Sequence, residues 1–122
     1  VLRGLHFQTR RPQGKLLRCV RGEIFDVAVD IRPGSEHFGQ WVGVHLSEAN
    51  KHQLFVPAGF AHGFQVVSEL ADVEYKCTDY YDPGGESGVR WNDPDLAIDW
   101  PVTESLVSAK DQKLPFLSEL PS

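Results

Sequence analysis

Only two cysteines occur among the 122 residues, and neither Cys19 nor Cys77 belongs to a CxxC pair or to any spacing that builds a zinc site. That excludes a CxxC redox motif. Both cysteines sit inside apolar, strand-like runs, where buried free thiols are the expected state and a disulfide is not needed. No apolar run approaches the roughly 20 residues that a membrane helix requires. Positive charge is also scarce: 12 Lys and Arg stand against 17 Asp and Glu, for a formal net charge of -5. Nonspecific nucleic-acid binding wants a basic face, so that class is set aside. An anionic ligand stays within reach if a few cations converge locally. The opening residues VLRGLHFQ read as a strand and not as a secretory leader, and a cytoplasmic protein is expected. There is no GxSxG elbow, neither cysteine opens a helix, and Gly84–Gly85 lacks the frame of a phosphate-binding loop. The five histidines, His6, His37, His45, His52 and His62, form no HxH or HxxxH pair. No metal and no cofactor are expected.

What is present is a succession of short strands. An apolar fraction of 41% and a charged fraction of 24% are ordinary for a globular chain, and the length suits one domain. Residues 1–8 read as a first strand and Lys15 to Arg21 as a second. Glu23 to Ile31 follows, with Phe25, Val27, Val29 and Ile31 on one face and Asp26, Ala28 and Asp30 on a polar one. Gln40 to Leu46 is a fourth strand, and Asp72 to Tyr81 a long one in which Tyr75 shares a face with Val73 and Cys77, aimed into the core or a cavity. Residues 82–88 form a loop carrying Glu86, and Gly88 to Trp91 is a last short strand. Thr103 to Leu120 is the one helical stretch, interrupted by Pro115. Gly, Pro, Asn and Asp clusters separate the strands, as in a sandwich or barrel. The pattern predicts an all-β jelly-roll barrel with a short C-terminal helical appendage, spanning residues 1–122 as a single domain.

The stretch LFVPAGFAHGFQVV, from Leu54 to Val67, reads as strand, turn, strand, because Pro57 fixes φ and Gly59 permits φ > 0. His62 is placed where the turn ends, among Phe60, Gly63 and Phe64. A titratable imidazole at such a point is a candidate site residue. General acid–base chemistry needs a base poised near neutrality, an acid of different strength and a cation where charge develops. His6, Tyr75 and Lys15 can supply these three. Taken singly, each has a structural reading: a strand histidine bonded to backbone, a core tyrosine with a satisfied hydroxyl, and a solvated edge lysine.

Six motifs then bear on the question together: VLRGLHFQ, QGKLLRCVRGEIFDVAVDIR, FGQWVGVHLS, LFVPAGFAHGFQVVS, VEYKCTDYY and WNDPDLAIDWP. In this order they resemble the dTDP-4-dehydrorhamnose 3,5-epimerase family, enzymes of nucleotide-sugar biosynthesis with a cupin-type jelly roll. The resemblance runs from Val1 to about Pro101 and more loosely through SAKD at 108–111. It implies a substrate, dTDP-4-dehydro-6-deoxy-glucose, whose 4-keto group acidifies the hydrogens at C3 and C5. It implies His6 as the base, Asp111 as the aspartate that orients it, and Tyr75 as the acid. Lys15 is implied near the sugar, Arg3 and His62 at substrate-binding positions, and Glu86 and Lys110 near the nucleotide. Members of that family carry a further segment before the RGLHF strand, exchanged across a dimer, so a homodimer is implied as well. An epimerase acting at C3 alone, the related 3,4-ketoisomerase, and a non-catalytic nucleotide-sugar-binding cupin are the alternatives. One conflict with simple periodicity stands out: strict alternation puts Arg3 and His6 on opposite faces of their strand, so a common site requires a bulge, which Gly4 permits.

Overall fold

The computed structural model describes residues 1–8, 14–32, 34–77, 86–102 and 106–119. Eight strands occur in chain order: β1 (Leu2–Gln8), β2 (Lys15–Arg21), β3 (Glu23–Asp30), β4 (Trp41–Ser47), β5 (Gln53–Val56), β6 (Phe60–Val66), β7 (Asp72–Cys77) and β8 (Glu86–Gly88). They form a five-stranded sheet in the order β4-β3-β6-β1-β8 and a three-stranded sheet in the order β5-β2-β7. Every pairing between them is antiparallel. The fold is mostly β, and among the described residues no strand pair joins the two sheets into a closed barrel.

Strand β3 explains the layering. It is sandwiched between β4 and β6, and seven of its eight residues are buried. Phe25, Val27 and Val29 turn away from the smaller sheet and, with Ile31 just past the strand, join Leu5, Ala61, Val89 and Leu96 in one core, against which Trp41, Trp100 and Leu117 pack. Ile24 and Ala28 turn the other way and meet Leu17, Cys19, Leu46 and Val56 in a second core between the sheets. Burying a valine or leucine fully contributes about 1.5–3 kcal/mol, so both faces of β3 are held in place. The polar face read from the sequence is therefore polar but not solvated: Asp26 and Asp30 are 0% and 2% exposed. Two-residue periodicity reports that the faces differ, and it cannot tell water from a second sheet.

Asp30 is fully satisfied. Its carboxylate accepts from the Arg32 side chain at 3.1 and 2.9 Å, from the Arg32 amide at 3.0 Å and from Ser35 Oγ at 2.6 Å. The Arg32 guanidinium holds this carboxyl well below the usual carboxylate range, against the opposing effect of burial. The same guanidinium lies 5.0 Å over the Phe60 ring and so ties the β3 exit to the start of β6.

Several element boundaries depart from the sequence reading. Phe60 N donates to Pro57 O at 3.3 Å and Gly59 takes φ +90, so the turn closes early and the strand resumes at Phe60. His62 is accordingly an interior strand residue and not the end of a turn. Glu86 opens β8 instead of lying in a loop, and Arg90 and Trp91 have left the strand. β7 ends at Cys77 among the described residues; residues 78–81 of the long strand lie outside them. In the C-terminal stretch the α-helix is confined to α1 (Ala109–Gln112), capped by Ser108, with a 3-10 turn at Leu117–Glu119. Pro115 between them cannot continue a helical hydrogen-bond ladder.

Candidate active site

The site begins with the irregularity in β1. Arg3 pairs with Phe64 and His6 with His62, so three steps on β1 answer two on β6 and the register shifts between them. Gly4 makes this possible. It takes φ +128, and a Cβ there would come within 2.6 Å of the Gly63 Cα; Gly63 in turn faces the Arg3 carbonyl. Two glycines thus meet where a side chain on either would force the strands apart. The extra residue changes the phase of the strand. Leu5 enters the outer core while Arg3 and His6 both fall on the face that Phe64 and His62 share.

The bulge also exposes a backbone donor that Asp111 uses. Gly4 N donates to Asp111 Oδ2 at 3.2 Å, while His6 Nε2 meets Asp111 Oδ1 at 2.7 Å. Asp111 is 5% exposed and His6 30%. Ser108, the N-cap of α1, accepts from the Asp111 amide at 3.1 Å and sets the helical turn that delivers the carboxylate. Since a carboxylate accepts, Nε2 of His6 carries the proton, and Nδ1 is the nitrogen left to take one up.

A second pair lies directly alongside. His62 is opposite His6 in register, which sets their Cβ atoms about 4.5–5.5 Å apart. Its Nε2 bonds to Asp26 Oδ1 at 2.5 Å. Here both partners are buried, at 8% and 0% exposure. Asp26 Oδ2 is buried with no hydrogen-bond partner among the described residues. Asp26 is the site residue that sequence reasoning passed over. Its signal was a carboxylate in the middle of an apolar strand, FDVAVD, since aspartate is almost never fully buried unless paired.

The opposite wall belongs to the smaller sheet. Lys15, Leu17 and Cys19 share the face of β2 that turns toward the larger sheet, and Lys15 is half-buried. Tyr75 pairs with Leu17 in register and so shares that face. Its side chain is 62% exposed, which places the phenol at an open margin and not in the core. Cys19 is a buried free thiol; burial pushes it up, and Sγ donates to Arg21 O at 3.0 Å. A protonated, bonded thiol is no nucleophile. Cys77 lies on β7 opposite Lys15, its side chain outside the described residues. Arg3 is exposed at the end of β1, Glu86 pairs with Gln8 across β1 and β8, and Lys110 is exposed on α1 beside Asp111. The structure thus brings His6, Asp111, His62 and Arg3 to one wall and sets Lys15 and Tyr75 on the other. Among the described residues no three His, Cys, Asp or Glu side chains gather as a metal site would require.

Two antiparallel sheets facing each other, with two carboxylate-anchored histidines on the inner wall of the larger one, define a class by fold: mostly β proteins of the jelly-roll, cupin type. The family follows from comparison. The profile described as dTDP-4-dehydrorhamnose 3,5-epimerase matches residues 1–119, and the chain belongs to that family. It is 57% identical over 122 residues to the dTDP-4-dehydrorhamnose 3,5-epimerase of Escherichia coli strain K12, covering 98% of this chain and 66% of the relative. It is 42% identical over 120 residues to a dTDP-4-dehydrorhamnose 3-epimerase of Streptomyces niveus, covering 98% of this chain and 58% of that one. Among solved structures, it superimposes with a TM-score of 0.95 and 55% identity on a dTDP-6-deoxy-D-glucose-3,5-epimerase from Legionella pneumophila in complex with dTDP-4-keto-L-rhamnose, over 98% of this chain and 64% of that one. The chain spans about two thirds of the length of the curated relatives it matches.

Proposed function

We propose that the protein epimerises C3 and C5 of dTDP-4-dehydro-6-deoxy-glucose through an enolate. The observation that carries this reading is the His6–Asp111 pair, 2.7 Å apart on an inner wall that faces the Tyr75-bearing sheet. The 4-keto group makes the adjacent carbon acids weak but removable. His6 takes the proton at Nδ1, and the imidazolium it becomes is stabilised by Asp111 at Nε2, as general-base catalysis requires. Lys15 supplies positive charge where the enolate oxygen develops, and His62 is read as a substrate-binding residue. Tyr75, on the opposing wall, returns a proton to the other face of the planar enolate. Inversion needs base and acid on opposite sides, and two facing sheets provide two sides. Arg3 is read as a substrate-binding residue, and Glu86 and Lys110 as residues near the nucleotide.

No step needs a metal or cofactor. A C3-restricted epimerase is the second reading, favoured by the Streptomyces relative of that description. The assembled form is read as a homodimer: Leu16, Val20 and Phe55 are exposed apolar residues on the outer face of the smaller sheet, a surface that a second copy would cover. Size-exclusion chromatography with light scattering tests this, and a monomer at micromolar concentration refutes it. No helix among the described residues is long and apolar enough to cross a membrane, and the cytoplasm is the proposed compartment.

Proton NMR of the sugar in D2O tests the reaction. Deuterium entering C3 and C5 supports the double epimerase, and deuterium at C3 alone supports the second reading. Binding of the dTDP-sugar without exchange overturns both in favour of a binding module.

A further inference from the structure

We infer that Asp26 is a positioning residue that acts on the sugar chemistry through His62. The kinetic part of this inference rests on the epimerase reading; its structural part does not.

Two carboxylates are buried on the inner face of β3, and they are treated differently. Asp30 has four donors and is an anchor for the strand end. Asp26 has one partner, His62 Nε2, and its second oxygen has none among the described residues. Removing a carboxylate from water with a single bond in return is costly, and an apolar pair of similar volume in place of Asp26 and His62 serves stability as well or better. Stability alone therefore does not account for an aspartate at this place. What Asp26 does is local and chemical. By accepting from Nε2 it fixes which nitrogen of His62 carries the proton and holds the ring plane, the same office that Asp111 performs for His6. His62 is opposite His6 in register and 8% exposed, so its ring orientation is decided by Asp26 and by packing, with water contributing little. A ring fixed in this way presents Nδ1 in one direction to whatever occupies the space between the sheets.

Three measurements on the protein and its variants decide the matter. Nitrogen-15 NMR of the histidine rings should show His62 protonated at Nε2 in a single tautomer, and a tautomer mixture in Asp26→Asn. This arm needs no turnover. In the exchange assay Asp26→Asn should lower kcat by about 10- to 100-fold with a smaller change in KM. In a His62→Ala background the same substitution should cost less than about twofold, because a residue acting through His62 has nothing further to lose. Replacing both partners, Asp26→Leu with His62→Leu, separates positioning from scaffolding: the double variant should match or exceed the parent in thermal stability while losing activity as His62→Ala does. An unchanged ring spectrum in Asp26→Asn, multiplicative losses when Asp26→Asn is added to His62→Ala, or loss of stability together with activity when both partners are leucine each overturn the inference. If the parent shows no exchange with the sugar, the epimerase reading fails and the ring spectrum alone judges Asp26.

Discussion

His6 and His62 stand opposite each other on neighbouring strands, each bonded through Nε2 to a carboxylate Oδ1, yet the two pairs are embedded differently. His6 is 30% exposed, and its partner Asp111 arrives from the C-terminal segment and also accepts from the Gly4 amide. His62 and Asp26 both come from the interior of the larger sheet and are nearly sealed from water. A base must give its proton back, and of the two pairs the first has the readier access to solvent. A group that orients or polarises without exchanging protons is better kept dry, where its electrostatic effect is least screened. The same two side-chain types are thus set in two environments, and burial separates them.

That contrast can be broken experimentally. His6→Ala removes the proposed base and should lower turnover by about 10⁴-fold, the upper range for general acid–base catalysis, with little change in thermal stability; deuterium exchange and a melting curve measure the two effects. Asp26→Ala should show the converse emphasis. It leaves His62 buried without its partner and should destabilise the fold by about 3–5 kcal/mol in urea denaturation. Gly4→Ala tests the geometry beneath both pairs: a Cβ 2.6 Å from the Gly63 Cα at φ +128 should cost about 1–3 kcal/mol and weaken exchange by displacing His6 from Asp111.

The smallest effect concerns Asp30, another buried carboxylate. The Arg32 guanidinium holds the Asp30 carboxyl well below the usual carboxylate range in the folded state, so it binds fewer protons there than in the unfolded chain. Its stabilisation is present above the unfolded value of about 4 and fades as pH falls through the folded one. The stability difference between the protein and Asp30→Asn should therefore be flat from neutrality to about pH 5 and shrink below about pH 4, read from denaturation midpoints across that range.

Much of this was legible in the residues. The alternation in Phe25, Val27, Val29 and Ile31 located β3, and the conflict between Arg3 and His6 called for a bulge at Gly4, where the register does shift. What escaped has physical reasons. His62 reads as a turn residue because Pro57 and Gly59 signal where a turn lies and not where it closes. Asp26 and His62 meet only because β6 lies against β3, a pairing that local patterns do not report. The role of the period-two polar face depended on a second sheet above it. Asp111 sits in a stretch with no clear periodicity, and only the family resemblance pointed to it before the geometry set it beside His6. The helical tail shrank to one turn because capping at Ser108 and the break at Pro115 leave room for no more.

The most direct test of the account is deuterium incorporation into dTDP-4-dehydro-6-deoxy-glucose, followed in D2O with the protein, His6→Ala and Asp26→Asn side by side. The account predicts label at C3 and C5 with the protein, none above background with His6→Ala, and slowed label at both carbons in unchanged proportion with Asp26→Asn. Label accumulating with His6→Ala at the parent rate would contradict it.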